Sequence, residues 1–154
     1  MDQRITGINR IDMLRRIVDG KRSVPGGALP VLHEIQDACG HIPGEAVPLI
    51  SAAFNLSRAE VHGVISYYHH FRQTLPGRHV IRVCCAEACQ AVGGEALAEH
   101  ARVQLEGSGL TLEPVYCLGL CACGPALQID ETTLHAHVTP AKFDALIDAL
   151  EAGQ

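Results

Sequence analysis

Six of the seven cysteines fall in two short groups, VCCAEAC (83–89) and YCLGLCAC (116–123). Each group closes a β-branched or apolar run. Thiols gathered this way either cross-link a chain or hold a metal, and the rest of the sequence bears on which. The start, MDQRITGINRIDMLRRIVDG, lacks the long apolar h-region of a secretory signal. No window approaches the roughly 18 consecutive apolar residues of a membrane span. This reads as a cytoplasmic protein with no membrane partner. In a reducing compartment structural disulfides are disfavoured, so clustered cysteines point to metal or redox chemistry. The formal net charge of −5 argues against nucleic acid or an anionic lipid surface as a general partner. Hydrophobic residues at 47% against 19% charged imply a packed core.

Periodicity divides the chain near Leu75-Pro76-Gly77. Residues 1–74 read as a helical bundle. Ile8, Ile11, Leu14 and Val18 recur at helical spacing, as do Leu29, Leu32, Ile35 and Cys39 before Gly40. Ala46, Val47, Ile50 and Phe54 form a third stripe. Ser57-Arg58-Ala59-Glu60 is a capping-box pattern opening a fourth helix, with Val61, Val64, Ile65, Tyr68 and Phe71 expected on one face. These faces read as bundle core. Some of the aromatic cluster Tyr67, Tyr68 and Phe71 is available to face a partner protein.

Residues 75–154 alternate. HVIRVCC (79–85) is a strand, and Gly93-Gly94 opens a helix bearing Leu97, Ala101 and Leu105. TLEPVYC (111–117) is a second strand. ALQID (126–130) and TLHAHV (133–138) form a hairpin turned at Asp130-Glu131-Thr132. Thr139-Pro140 caps a last helix bearing Phe143, Leu146, Ile147 and Leu150. The order is β-α-β-β-β-α, an α/β domain in which both cysteine groups fall just past strand ends, where sites of open α/β sheets collect.

Four thiolates on two loops make a tetrahedral sulfur site or a cage for two irons and two sulfides. The available spacings are Cys84-x4-Cys89 or Cys85-x3-Cys89, with Cys117-x3-Cys121 or Cys121-x-Cys123. Zinc ribbons use two-residue gaps, and the wider gaps suit a larger body. A two-iron cluster takes two cysteines per iron, and the natural division is one loop each: Cys84 with Cys89, Cys117 with Cys121. Zinc or redox-active thiols are the alternatives. Gly119 and Gly124 let backbone approach such a cluster and aim N–H groups at its sulfurs. Cys85 and Cys123 read as bystanders and Cys39 as a core residue.

No G-x-G-x-x-G and no P-loop is present, and His33-Glu34-Ile35-Gln36 continues to Asp37, so it is not a zincin motif. His69-His70 and His135-x-His137 read as surface or structural residues. No catalytic residue of the chain's own is identified. The chain is equipped to hold electrons rather than to transform a substrate.

The residues VCCAEACQAVGG (83–94) and YCLGLCACGPAL (116–127) resemble the thioredoxin-like [2Fe-2S] ferredoxin family, that of the small iron–sulfur subunit of NADH:quinone oxidoreductase (complex I). LPVLHEIQDACGHIP (29–43) and LSRAEVHGVISYYHHF (56–71) resemble its helical segment, so the likeness covers about residues 25–150. Within the family, PGRHVIRVCCAEACQAVGG (76–94) and CLGLCACGPAL (117–127) are most similar to the gamma-subunit branch of soluble NAD-dependent formate dehydrogenases. The resemblance implies one [2Fe-2S] cluster held by Cys84, Cys89, Cys117 and Cys121, with Cys84 rather than Cys85 as first ligand. It implies a thioredoxin-like domain at 75–154 behind a helical bundle at 1–74 that docks the partner. It also implies a flavin subunit binding FMN and NAD, and a catalytic subunit bearing the molybdenum cofactor. The equivalent subunit of complex I or of an NAD-reducing hydrogenase is the sibling reading. A zinc-stabilised adaptor and a thiol–disulfide oxidoreductase are readings of other classes, and the latter lacks a C-x-x-C pair. NAD exchanges electrons in pairs and an iron–sulfur cluster singly, with flavin converting between them. The expected role is therefore a one-electron reservoir beside the flavin.

Overall fold

The computed structural model describes residues 7–153, with side chains from Arg10 onward. It contains α1 (Gly7–Gly20), α2 (Ala28–Cys39), α3 (Ala46–Phe54), α4 (Arg58–Tyr67), β1 (Val80–Cys84), α5 (Glu87–Gln90), α6 (Gly94–Gln104), β2 (Thr111–Val115), β3 (Leu127–Ile129), β4 (Thr133–His135) and α7 (Pro140–Ala152). The chain divides into two compact units between Leu75 and Pro76. Among the described residues no helix is long and apolar enough to cross a membrane.

The first unit closes its own core from one stripe of each helix: Leu14 and Val18, Val31, Leu32 and Ile35, Val47 and Ile50, Val61 and Ile65. Both halves of the capping box form. Ser57 Oγ accepts from the Glu60 N–H, and the Ser57 N–H donates to Glu60 Oε2 at 2.7 Å. Two expectations fail at the helix edges. Ile11 is 37% exposed, because the inward stripe of α1 runs through Met13, Leu14, Ile17 and Val18. The side chain of Ile8 lies outside the described ones. Phe71 is buried, but not on α4: the chain leaves the helix at Tyr68 (φ −89°, ψ 101°). Buried Gln36 fixes the following turn. Its amide donates to the His70 carbonyl at 2.8 Å and accepts from the Arg72 N–H at 2.7 Å, which delivers Phe71 to the core. Cys39 is half-buried against that core.

The second unit is a four-stranded sheet in the order β2-β1-β3-β4. β1 and β2 are parallel, with Val80 opposite Thr111 and Cys84 opposite Val115. Parallel neighbours need a crossover, which α6 supplies. β1 with β3 and β3 with β4 are antiparallel. Side chains alternate across a strand, so Ile81 and Val83 meet Leu97, Ala101, Leu105, Val138 and Phe143 in the core. Arg82, on the other face, bonds Glu113 at 3.1 Å and Gln128 at 3.3 Å. α7 is capped by Thr139, whose Oγ1 accepts from the Lys142 N–H at 3.2 Å. The Gly124-Pro125 peptide is cis.

Candidate metal centre

The alternation of β1 decides how its adjacent cysteines face. Cys84, at the strand end, is 2% exposed and packs with Cys89 and Ala126, bordered by Ala86, Val115, Leu118 and Leu120. Cys85 follows the phase of Ile81 and Val83 instead. It lines a separate cavity with Gly94, Glu95 and Ala98, and its Sγ lies 3.5 Å from the Val83 carbonyl oxygen. Its N–H donates to the Val115 carbonyl at 2.8 Å and its carbonyl accepts from the Gln90 amide at 2.7 Å, so the backbone is fixed on both sides.

Cys89 lies on the short α5 and is also 2% exposed. The next turn needs two glycines. Gly93 has φ +99°, a conformation L side chains rarely adopt. Gly94 lies against the Cys89 backbone: a Cβ there would sit 2.6 Å from the Cys89 carbonyl oxygen and 2.7 Å from its carbon. Gly124 approaches the same residue from the second loop, where a Cβ would be 3.3 Å from Cys89 Sγ and 3.0 Å from Val92 Cγ2.

The second loop carries Cys117, with φ +113°, and Cys121 in a 3-10 turn over Cys121–Cys123. Both thiols are exposed, and their Sγ atoms are 3.6 Å apart. Two thiolates on one tetrahedral ion, each about 2.3 Å from it, lie about 3.8 Å apart. This pair therefore fits one metal ion. The positive φ of Cys117 turns successive N–H groups toward sulfur. Those of Cys117 and Leu118 favour the Cys84 thiolate, and that of Gly119 reaches Cys117 Sγ at 3.3 Å. Such a concave run of amides suits an anion.

The thiol ionisations record this setting. Burial pushes the Cys84 thiol up, but N–H groups of Ala86, Leu118 and Cys117 and the Cys89 thiol outweigh it and hold Cys84 below the ordinary value. Cys89 is raised by burial and by Cys84, although the Ala126 N–H opposes this. Cys121 is raised by its bond to Cys117, with the charges of Cys117 and Cys84 adding to it. Cys85 is raised by burial and by Cys84. Cys84, Cys89, Cys117 and Cys121 are thus brought within electrostatic reach of one another, as a buried pair and an exposed pair. Cys85 is turned away, and Cys123 is half-buried with its carbonyl accepting from the His137 N–H at 2.8 Å. Among the described residues no group of three or more His, Cys, Asp or Glu side chains closes around a single ion, and the two histidine pairs join none. Four thiols, two to a loop, are the donor set of a two-iron cluster. The sequence reading missed Gly94: the Gly93-Gly94 pair marks a helix start, but nothing local shows which backbone atom it touches.

The family model of thioredoxin-like [2Fe-2S] ferredoxins matches residues 14–151. An NADH-quinone oxidoreductase subunit of Pseudomonas aeruginosa is 36% identical over 132 residues, 79% of this chain and 78% of that protein. An NADH-quinone oxidoreductase subunit of Thermus thermophilus is 28% identical over 144 residues, 88% of this chain and 78% of that one. The crystal structure of an NAD+-reducing [NiFe]-hydrogenase in the air-oxidized state superposes with a TM-score of 0.64 at 26% identity. That match covers 86% of this chain and 24% of the hydrogenase chain, so this chain spans about a quarter of the one it matches.

Proposed function

The chain belongs to the thioredoxin-like [2Fe-2S] ferredoxin family, and from that premise we propose that it is the one-cluster electron-transfer subunit of a flavin-containing, NAD-dependent oxidoreductase acting in the cytoplasm. The observation that carries this is the paired arrangement of thiols, Cys84 and Cys89 inside, Cys117 and Cys121 at the surface 3.6 Å apart. These four residues hold the cluster in this reading. When bound, the cluster supplies storage for one electron. The chain's own part is to hold it in place and to meet the added negative charge with the N–H groups of Ala86, Cys117, Leu118 and Gly119. The unit at 1–74 docks the flavin subunit, which carries FMN and NAD.

The finer assignment is to an NAD-dependent formate dehydrogenase with a molybdenum-bearing catalytic subunit. It is supported by the similarity of residues 76–94 and 117–127 to that branch. The test is anaerobic purification of the chain with its co-purifying partners. About two irons and about two acid-labile sulfides per chain, with an EPR signal after dithionite, are expected. One zinc without sulfide ends the electron-transfer reading. Molybdenum and formate oxidation in the co-purified complex support the formate branch. Nickel or quinone-linked activity reassigns the chain to the hydrogenase or complex I type. Assembly unaffected by removal of residues 1–74 refutes their docking role.

Gly124 provides a check on the potential. A methyl group 3.3 Å from Cys89 Sγ adds apolar contact at a sulfur that must carry more charge after reduction. A penalty of about 1 kcal/mol corresponds to about 40 mV for one electron. Gly124→Ala is expected to lower the midpoint by this order in an EPR-monitored redox titration. An unchanged or raised midpoint contradicts the placement of Cys89 beside Gly124.

A further inference from the structure

A groove of the second unit has a volume of about 690 Å³ and runs between α6 and β2. Val83, Ala98, Leu112 and Pro114 give it apolar walls, and the exposed side chains of Glu95 and Glu99 stand along it. Resting on the reading above, we propose that this groove docks an apolar segment bearing lysine or arginine from the flavin subunit.

Three observations point to that occupant. Charge comes first. Glu95 and Glu99 stand along the groove with a single cation, Arg102, which Glu99 holds at 2.7 and 2.9 Å. Glu113 is turned to the opposite face of the sheet, where Arg82 bonds it at 3.1 Å. Among the described residues Glu95 makes no ion pair. Residues 76–154 contain ten Asp and Glu against four Lys and Arg, so the unit as a whole attracts a basic surface.

The second observation is the edge. β2 has a neighbour on one side only. The Thr111 N–H donates toward β1, at the His79 carbonyl, and the Val115 carbonyl accepts from Cys85. Residues 112 and 114 therefore present their backbone outward, and Pro114 has no N–H to offer. Addition of a partner strand is disfavoured, and side chains entering the groove remain as the mode of docking. The third observation is position. Cys85 lines the groove one residue after Cys84, so a segment seated there lies behind the strand that carries the first thiol of the candidate centre.

The experiment uses the cluster-loaded full chain and its co-expressed flavin subunit. Leu112→Glu and, separately, Glu95→Lys with Glu99→Lys are expected to weaken the complex by about tenfold or more. The wild-type complex should weaken with added salt, and the cluster EPR spectrum of each variant should be unchanged. Glu95 and Glu99 are exposed, so their reversal does not disturb the core. Amide exchange over 95–102 and 111–115 should slow in the complex. Wild-type affinity in both variants, with no slowing there, overturns the groove assignment and leaves the electron-transfer reading standing. Slowing at these residues in the chain alone, with dimerisation, gives the groove to a second copy and also overturns it. A cluster-loaded chain that binds no flavin subunit overturns both.

Discussion

Cys84→Ala is expected to abolish the iron–sulfur cluster, while Cys85→Ala leaves it in place. The two residues are adjacent, of the same type and close to the same loop, so composition gives no reason for different outcomes. Strand alternation does. Cys84 lies in the pocket with Cys89 and receives N–H groups from Ala86, Leu118 and Cys117. Cys85 faces the α6 side, with its backbone fixed by Val115 and Gln90. For Cys85 to replace Cys84 the strand end would have to reverse its facing, which breaks those bonds at about 0.5–1.5 kcal/mol each. Iron, sulfide and EPR spin per chain after anaerobic purification distinguish the two variants. Retention of a full cluster in Cys84→Ala, or its loss in Cys85→Ala, refutes the facing described.

Gly94→Ala should be nearly as severe, although it touches no candidate ligand by chemistry. The added Cβ meets the Cys89 carbonyl at 2.6 Å, and neither partner is a flexible side-chain tip that can swing away. Overpacking of this kind costs about 1–3 kcal/mol, and here the displacement falls on Cys89 itself. Cluster content should drop sharply and the EPR line shape broaden, while helical circular dichroism persists. Gly63→Ala is the control: it is exposed in α4 with nothing within 4 Å of its Cβ. It should keep the cluster and gain roughly 0.5–1 kcal/mol from helix propensity. A normal cluster signal in Gly94→Ala means that the α5–α6 turn does not position Cys89.

Local rules carried much of the fold. The Ser57 box and the Thr139-Pro140 start could be read because a helix cap is satisfied within a few residues. The hairpin around Asp130 could be read because alternation and a turn signal agree. Reading failed where distant contacts decide. Phe71 fits the spacing of α4, but Gln36, far earlier in the chain, holds the backbone on either side of it. Ile11 fits a helical stripe, and the rotation of α1 leaves it outside. The adjacent cysteines gave a choice of spacings, and only the phase of β1 separates their directions. The groove beside β2 left no sequence signal, since Glu95, Ala98, Glu99 and Arg102 make an ordinary solvated stripe at helical spacing.

The two hydrophobic cores draw on separate residues, Leu14 to Phe71 in the first unit and Ile81 to Phe143 in the second. Each is a candidate cooperative block, and a chain built from two such blocks has no single unfolding temperature. A cluster bound only by the folded second block raises the stability of that block. Calorimetry that resolves two transitions, one of which moves on cluster loading, assigns a melting point to each half. A variant of this chain is properly ranked by two stabilities rather than one.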